Sequence, residues 1–219
     1  MSVVVNFELI SRTITTSDKP NKAVVAIHGW TGDEYVFEPI AKMINLNHTK
    51  WYFPRAPYEA DSGKGYSWFH GSDNKGWEFQ KTISGMNNLI KRINSDGFIA
   101  KDIYFLGFSQ GATLALEFAL RLPYAIGGII PIAGFIKFKD EINSEGTKES
   151  KKTPILILHG NQDKIIPVSA SITTHSILKK RKNPVLLKTY DAGHKIPTTI
   201  VPDIKEFILD TKKFEEISH

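Results

Sequence analysis

Ile103-Tyr104-Phe105-Leu106-Gly107-Phe108-Ser109-Gln110-Gly111-Ala112-Thr113-Leu114-Ala115-Leu116 sets a serine between two glycines, with an apolar run before it and a helix-like run after it. A chain that turns from strand to helix within a residue or two forces strained backbone angles at the corner. Its neighbours must also approach closely, so glycine is needed on both sides. The serine hydroxyl is then held out at the sheet edge. Gly107-Phe108-Ser109-Gln110-Gly111 therefore reads as a nucleophile elbow, a weak signal as a bare pentapeptide and a stronger one with this strand and helix around it.

Working outward, apolar and β-branched runs recur at Ala23 to Ile27, Trp51 to Phe53, Asp102 to Leu106, Ile129 to Ala133, Ile155 to Leu158 and Val185 to Tyr190. Helical periodicity separates them, most clearly at Glu78 to Ile93, Ala112 to Leu120, Val168 to Leu178 and Pro202 to Leu209. Alternation of this kind predicts an α/β fold with a mostly parallel central sheet and helices on both faces. The continuously apolar strands agree, because a strand covered on both faces has no polar side. Residues 3 to 16 are predicted to add an antiparallel edge pair. The whole chain, 1–219, reads as one domain, a size that buries a substantial core.

Composition narrows the function classes. A chain 41% apolar and 23% charged is that of an ordinary soluble protein, and no apolar run nears the roughly 20 residues of a membrane span. The first ten residues carry no basic leader. No cysteine is present, which excludes disulfides, thiolate metal sites and a cysteine nucleophile, and a cytoplasmic location is the simplest expectation. The net charge of +5 comes partly from lysines at 148–152 and 179–182, where no aromatic residues interleave, so nucleic acid is not an expected partner. These basic stretches read as solvated, with weak attraction to an anionic membrane surface as the alternative. No cofactor is expected, and no two histidines have a metal-binding spacing.

Two segments break the rhythm. Arg55 to Gly76 contains Pro57, Gly63, Gly65, Gly71 and Gly76 together with Tyr58, Tyr66, Trp68 and Phe69, too aromatic for a solvated loop, and is expected to wrap the site. Lys137 to Lys152 reads as an exposed, mobile insertion, or else as a lid.

A serine hydroxyl needs a base to take its proton and a third group to orient that base. In this kind of fold the acid and then the histidine follow the serine, each at a strand end. The strand at 154–158 runs into His159-Gly160-Asn161-Gln162-Asp163, making Asp163 the acid candidate, with a helix-capping role as its structural alternative. The strand at 185–190 runs into Asp191-Ala192-Gly193-His194, making His194 the base candidate. Asp191, three residues from His194, is a rival acid whose strand-end position suits a turn. His28 and His159 each precede a glycine at a strand end and are expected to tie loops through backbone hydrogen bonds. Acyl transfer also requires donors for an oxyanion. The Gln110 amide is one, and Trp30, with Gly29 as the alternative, is expected to supply the second from the turn after Val24 to Ile27.

Together these blocks resemble the phospholipase/carboxylesterase family of α/β-hydrolases, the group that includes the acyl-protein thioesterases. The resemblance runs through Ile27-His28-Gly29-Trp30-Thr31-Gly32-Asp33, Phe53-Pro54-Arg55-Ala56-Pro57, Ser67-Trp68-Phe69, the elbow, Ile157 to Asp163 and Gly193-His194, and so covers most of the chain. It implies an α/β-hydrolase fold without a large cap domain, acting on carboxylic esters or thioesters. Two positions depart from the pattern: Trp30 stands where relatives usually have leucine, and His70 where aspartate is common. The expected function is therefore a serine carboxylesterase with Ser109, His194 and Asp163 as its triad. Trp30, Trp68 and Phe69 would wall the substrate, and short acyl chains would be favoured. An acyl-protein thioesterase or lysophospholipase, and a ligand-binding relative without chemistry, are the alternatives.

Overall fold

The structure, a computed structural model, describes residues 6–211 and residue 214. In chain order the elements are β1 (Ser11–Thr15), β2 (Lys22–Ile27), α1 (Glu38–Ile44), β3 (Thr49–Pro54), β4 (Tyr58–Glu59), β5 (Tyr66–Ser67), β6 (His70–Ser72), β7 (Gly76–Glu78), α2 (Gln80–Ser95), β8 (Ile103–Phe108), α3 (Gln110–Ala119), β9 (Gly128–Ile132), α4 (Lys139–Glu145), β10 (Ile155–Gly160), α5 (Val168–Lys180), β11 (Val185–Tyr190) and α6 (Val201–Leu209). Seven strands form one sheet in the order β1-β3-β2-β8-β9-β10-β11. All its pairs are parallel except β1 with β3.

The runs without polar alternation became the interior of this sheet. β2, β8, β9 and β10 are buried almost throughout, whereas the edge strands β1 and β11 alternate with exposed positions. One apolar core joins the sheet to α2, α3, α4 and α5, and a second joins the opposite face to α1 and α6. Both faces are covered, which is why the strands could be apolar on both sides.

The predicted edge pair over residues 3 to 16 is corrected. One strand, Ser11–Thr15, pairs antiparallel with β3, and residues 6–10 form no strand; residues 1–5 lie outside the described residues. Lys137 to Lys152 is not a loose insertion either. Glu117, buried in α3, accepts the Lys137 and Phe138 amides at 2.6 and 2.9 Å, and α4 buries Ile142. Ser150 Oγ donates to the Leu120 carbonyl at 2.7 Å, and Arg181 donates to that of Ile142 at 2.6 Å. From Lys139 onward its charged side chains face water while its backbone polar groups are satisfied by the body of the protein, as packed backbone must be.

Candidate active site

Ser109 sits at the corner between β8 and α3 with φ 54° and ψ −119°. A non-glycine residue held there costs on the order of 1–3 kcal/mol and persists only where its surroundings over-determine it. They do so here. The Ser109 amide donates to the Ile132 carbonyl at 2.8 Å, tying the corner to β9. A Cβ on Gly107 would strike the Gly111 carbonyl, and one on Gly111 would strike the carbonyls of Ile27 and His28. The two glycines thus let helix and strand close on each other and leave the serine at the sheet edge.

The loops after β10 and β11 bring the other two groups to it. Gln162 N donates to the Ala192 carbonyl at 3.0 Å, and Asn161 N to that of Tyr190 at 2.9 Å, so the two loops are stitched together. His194 Nδ1 lies 2.6 Å from Asp163 Oδ2, and His194 Nε2 lies 3.0 Å from Ser109 Oγ. A carboxylate only accepts, so Nδ1 carries the proton, and in the neutral ring Nε2 is left as acceptor for the serine hydroxyl. Phe108 packs on the imidazole with centroids 4.8 Å apart. Asp163 Oδ1 accepts the Ile165 and Ile166 amides at 2.8 and 2.9 Å. Burial disfavours its charge, but the hydrogen bonds from His194, Ile166 and Ile165 outweigh this and hold its pKa below the ordinary carboxylate value.

The rival acid is elsewhere engaged: Asp191 accepts a hydrogen bond from Gln162 Nε2 at 2.5 Å on an exposed loop. His159 ties a loop as expected, bonding the Ile166 carbonyl at 2.9 Å. It also touches Asp163, with Nε2 3.4 Å from Oδ2.

The turn after β2 lies directly against the serine, since a Cβ on Gly29 would meet Ser109 Cβ at 3.3 Å. Neither the Trp30 nor the Gln110 amide donates a hydrogen bond to any described residue. The turn itself is held by His28, whose Nδ1 donates to the Gly29 carbonyl at 2.7 Å while its Nε2 accepts the Ala56 amide at 3.0 Å. Burial pulls the His28 pKa down to about 4, with the Gly29 hydrogen bond and the Asp33 charge opposing it.

The aromatic segment splints this turn, in a way the sequence did not reveal. Thr31 N donates to the Tyr66 carbonyl at 3.0 Å and Tyr66 N to that of Gly32 at 3.1 Å. The Trp68 indole N–H donates to the His28 carbonyl at 2.7 Å. From the other side the Gln110 carboxamide accepts the Trp68 amide at 2.8 Å and donates to Ser67 Oγ at 3.0 Å.

A cavity of about 150 Å³ opens beside the serine, lined by Phe69, Trp77, Ser109, Gln110, Thr113, Phe135, Lys137 and Ile166. Two expected wall residues are corrected. Trp68 is 0% exposed and spends its indole on the backbone beneath the turn, so it braces the site from below. Trp30 is 51% exposed and is not among the residues that line this cavity. Phe69 does line it. Trp77, Phe135, Lys137 and Ile166 were not singled out from the sequence, although Trp77 lies one residue past the aromatic loop and Ile166 three past Asp163. Among the described residues no group of three His, Asp or Glu side chains is placed to hold a metal ion.

Known proteins resemble this chain. A family model described as Phospholipase/Carboxylesterase matches residues 9–212. Acyl-protein thioesterase 1 of Kluyveromyces lactis is 31% identical over 172 residues, 71% of this chain and 75% of that protein. A probable carboxylesterase, SOBER1-like, of Arabidopsis thaliana is 30% identical over 190 residues, 79% of this chain and 72% of that protein. Among solved structures, esterase PE8 matches with a TM-score of 0.81 at 24% identity, over 93% of this chain and 99% of that one, a likeness of fold.

Proposed function

Because this chain belongs to the phospholipase/carboxylesterase family of α/β-hydrolases, we propose that it is a serine hydrolase that cleaves carboxylic esters through an acyl-enzyme on Ser109. The observation that carries the reading is the unbroken line from Asp163 through His194 to Ser109, at 2.6 and 3.0 Å.

In this mechanism Ser109 Oγ attacks the acyl carbonyl carbon as its proton passes to His194 Nε2, and Asp163 stabilises the imidazolium. The carbonyl oxygen becomes an oxyanion held by the Gln110 and Trp30 amides, which have no other acceptor among the described residues. The Gln110 amide belongs to the first turn of α3, so the helix dipole adds to the donor. Collapse breaks the ester bond, and the departing alkoxide takes the proton from His194. Water then gives a proton to His194 and its oxygen to the acyl carbon. The second collapse releases the acid and returns the proton to Ser109.

The cavity supports a short acyl group, because about 150 Å³ holds a ligand of roughly six carbons. A thioesterase reading is favoured by the thioesterase relative. The same chemistry serves both, since a thiolate leaves in place of the alkoxide. A cytoplasmic setting belongs to the proposal and suits a chain without cysteine.

The test is labelling with a fluorophosphonate, followed by turnover of p-nitrophenyl butyrate. Wild type should be labelled once and turn over, and Ser109→Ala should lose both, with a rate loss on the order of a thousandfold or more and an unchanged circular dichroism spectrum. If Ser109→Ala kept a third of the rate, Ser109 would not be the nucleophile.

A further inference from the structure

Of the residues lining the cavity beside Ser109, one carries a charge. Lys137 enters from the segment after β9 and is held at both ends. Its backbone amide is fixed at 2.6 Å by the buried Glu117 of α3, the helix that begins at the elbow. Its ammonium lies 4.1 Å from the centre of the Trp77 ring, which lines the same cavity. The rest of the wall is Phe69, Phe135, Ile166, Trp77 and the small polar groups of Ser109, Gln110 and Thr113. An apolar pocket with a single fixed cation is a site for an apolar group that ends in an anion.

The ammonium's ionic partner is easily exchanged. Asp73 Oδ1 lies 3.4 Å from Lys137 Nζ, but the Asp73 side chain is 87% exposed, on the turn between β6 and β7, whereas that of Lys137 is 20% exposed. An ion pair with so exposed a partner is worth little, because water solvates the carboxylate as well as the lysine does. Asp73 also has a second donor of its own, the Trp77 indole N–H at 2.8 Å, so it keeps a partner if Lys137 turns to another anion.

We propose that Lys137 is a specificity residue and that the preferred substrates are esters bearing a carboxylate on the group that occupies this cavity. The inference rests on the ester hydrolase reading above. A substrate carboxylate replaces Asp73 at the ammonium, inside a wall of aromatic side chains where water competes less than it does at the hairpin turn. The apolar remainder packs against Phe69, Trp77 and Phe135.

The experiment compares paired esters on the full-length protein: p-nitrophenyl butyrate against the p-nitrophenyl monoester of glutaric acid, and phenyl butyrate against 4-carboxyphenyl butyrate. The first pair puts the carboxylate on the acyl side, the second on the alcohol side. The quantity read is the ratio of kcat/KM for the anionic member to that for the neutral one, so that a general loss of activity cancels. In one of the pairs Lys137→Met should lower the ratio about tenfold or more, the worth of one charge-assisted hydrogen bond, and Lys137→Arg should retain most of it. Asp73→Asn, on an exposed turn where folding is not at stake, should raise the same ratio roughly twofold to fivefold by freeing the cation. Ratios that stay within about twofold of wild type in both pairs for Lys137→Met and Asp73→Asn would overturn the inference while leaving the hydrolase reading intact. Absence of fluorophosphonate labelling and of turnover on all four esters would overturn both.

Discussion

Asp163 uses its two oxygens for different purposes, one for the Ile165 and Ile166 amides and one for His194. Replacing it by asparagine keeps the size but offers an amide N–H to one side or the other. With the introduced side-chain NH2 toward the imidazole, the ring must accept at Nδ1 and carry its proton on Nε2, where it can no longer take one from Ser109. Asp163→Asn should therefore lower kcat by several orders of magnitude, about 10⁴-fold in comparable triads. Asp191→Asn, which alters only the exposed contact with Gln162, should lower it by less than about threefold. Stopped assays on short esters decide between the two carboxylates.

His28 makes a second prediction at this scale. Its pKa is depressed from 6.5 to about 4 in the fold, so the unfolded chain binds the proton more readily. The stability it secures is complete above pH 6.5 and is lost as pH falls from 6.5 toward 4, at about 1.4 kcal/mol per pH unit. Urea unfolding should find wild type less stable at pH 5 than at pH 7 by about 2 kcal/mol from this group, and His28→Gln should show a correspondingly flatter dependence.

At the scale of elements, the unit of interest is the splint between the turn after β2, the segment around β5 and the start of α3. Trp68 is its centre: its amide goes to Gln110, its indole N–H to His28 and its carbonyl accepts Thr82 Oγ1 at 2.6 Å. Trp68→Phe leaves the His28 carbonyl without this donor and opens a void in a fully buried position. The cost should be about 2–4 kcal/mol in urea unfolding, combining an unmade hydrogen bond with lost packing. Because the turn carrying the Trp30 amide rests on that carbonyl, kcat should fall more than KM rises. An increase in KM with unchanged kcat would mean that the splint serves binding and not the oxyanion donors.

For the molecule as a whole, the sheet brings Ser109 from the end of β8 together with Asp163 and His194 from beyond β10 and β11, and the cavity is lined by Trp77 of β7 and by Phe135 and Lys137 beyond β9. Chain-length preference follows from those walls. The kcat/KM on p-nitrophenyl esters should peak between about two and six carbons. Trp77→Ala or Phe135→Ala should move the peak to longer chains, each accommodated methylene being worth roughly 0.8 kcal/mol. Trp30→Leu, at an exposed position outside the cavity, should leave the profile within about threefold. A large gain on long chains for Trp30→Leu would return the acyl route to the oxyanion turn.

What was legible in the sequence was local. The elbow glycines, the continuously apolar strands and the placement of Asp163 and His194 just past strand ends each rest on backbone geometry that a few neighbouring residues impose, so the sheet, and three side chains that meet within hydrogen-bond distance, could be named from the chain alone. The same holds for His28, whose neighbouring glycine marked a turn. Apart from Phe69, the walls of the cavity were not legible, because they depend on which way a side chain turns once distant segments pack. Trp68 and Phe69 are adjacent in sequence, yet Trp68 is turned beneath the His28 carbonyl while Phe69 faces the cavity. Lys137 opens a charged segment that reads as an exposed, mobile insertion or a lid. Only the tertiary structure shows Glu117 pinning its amide and Trp77 beneath its ammonium, for those contacts join residues 20 and 60 positions apart and no local pattern records them.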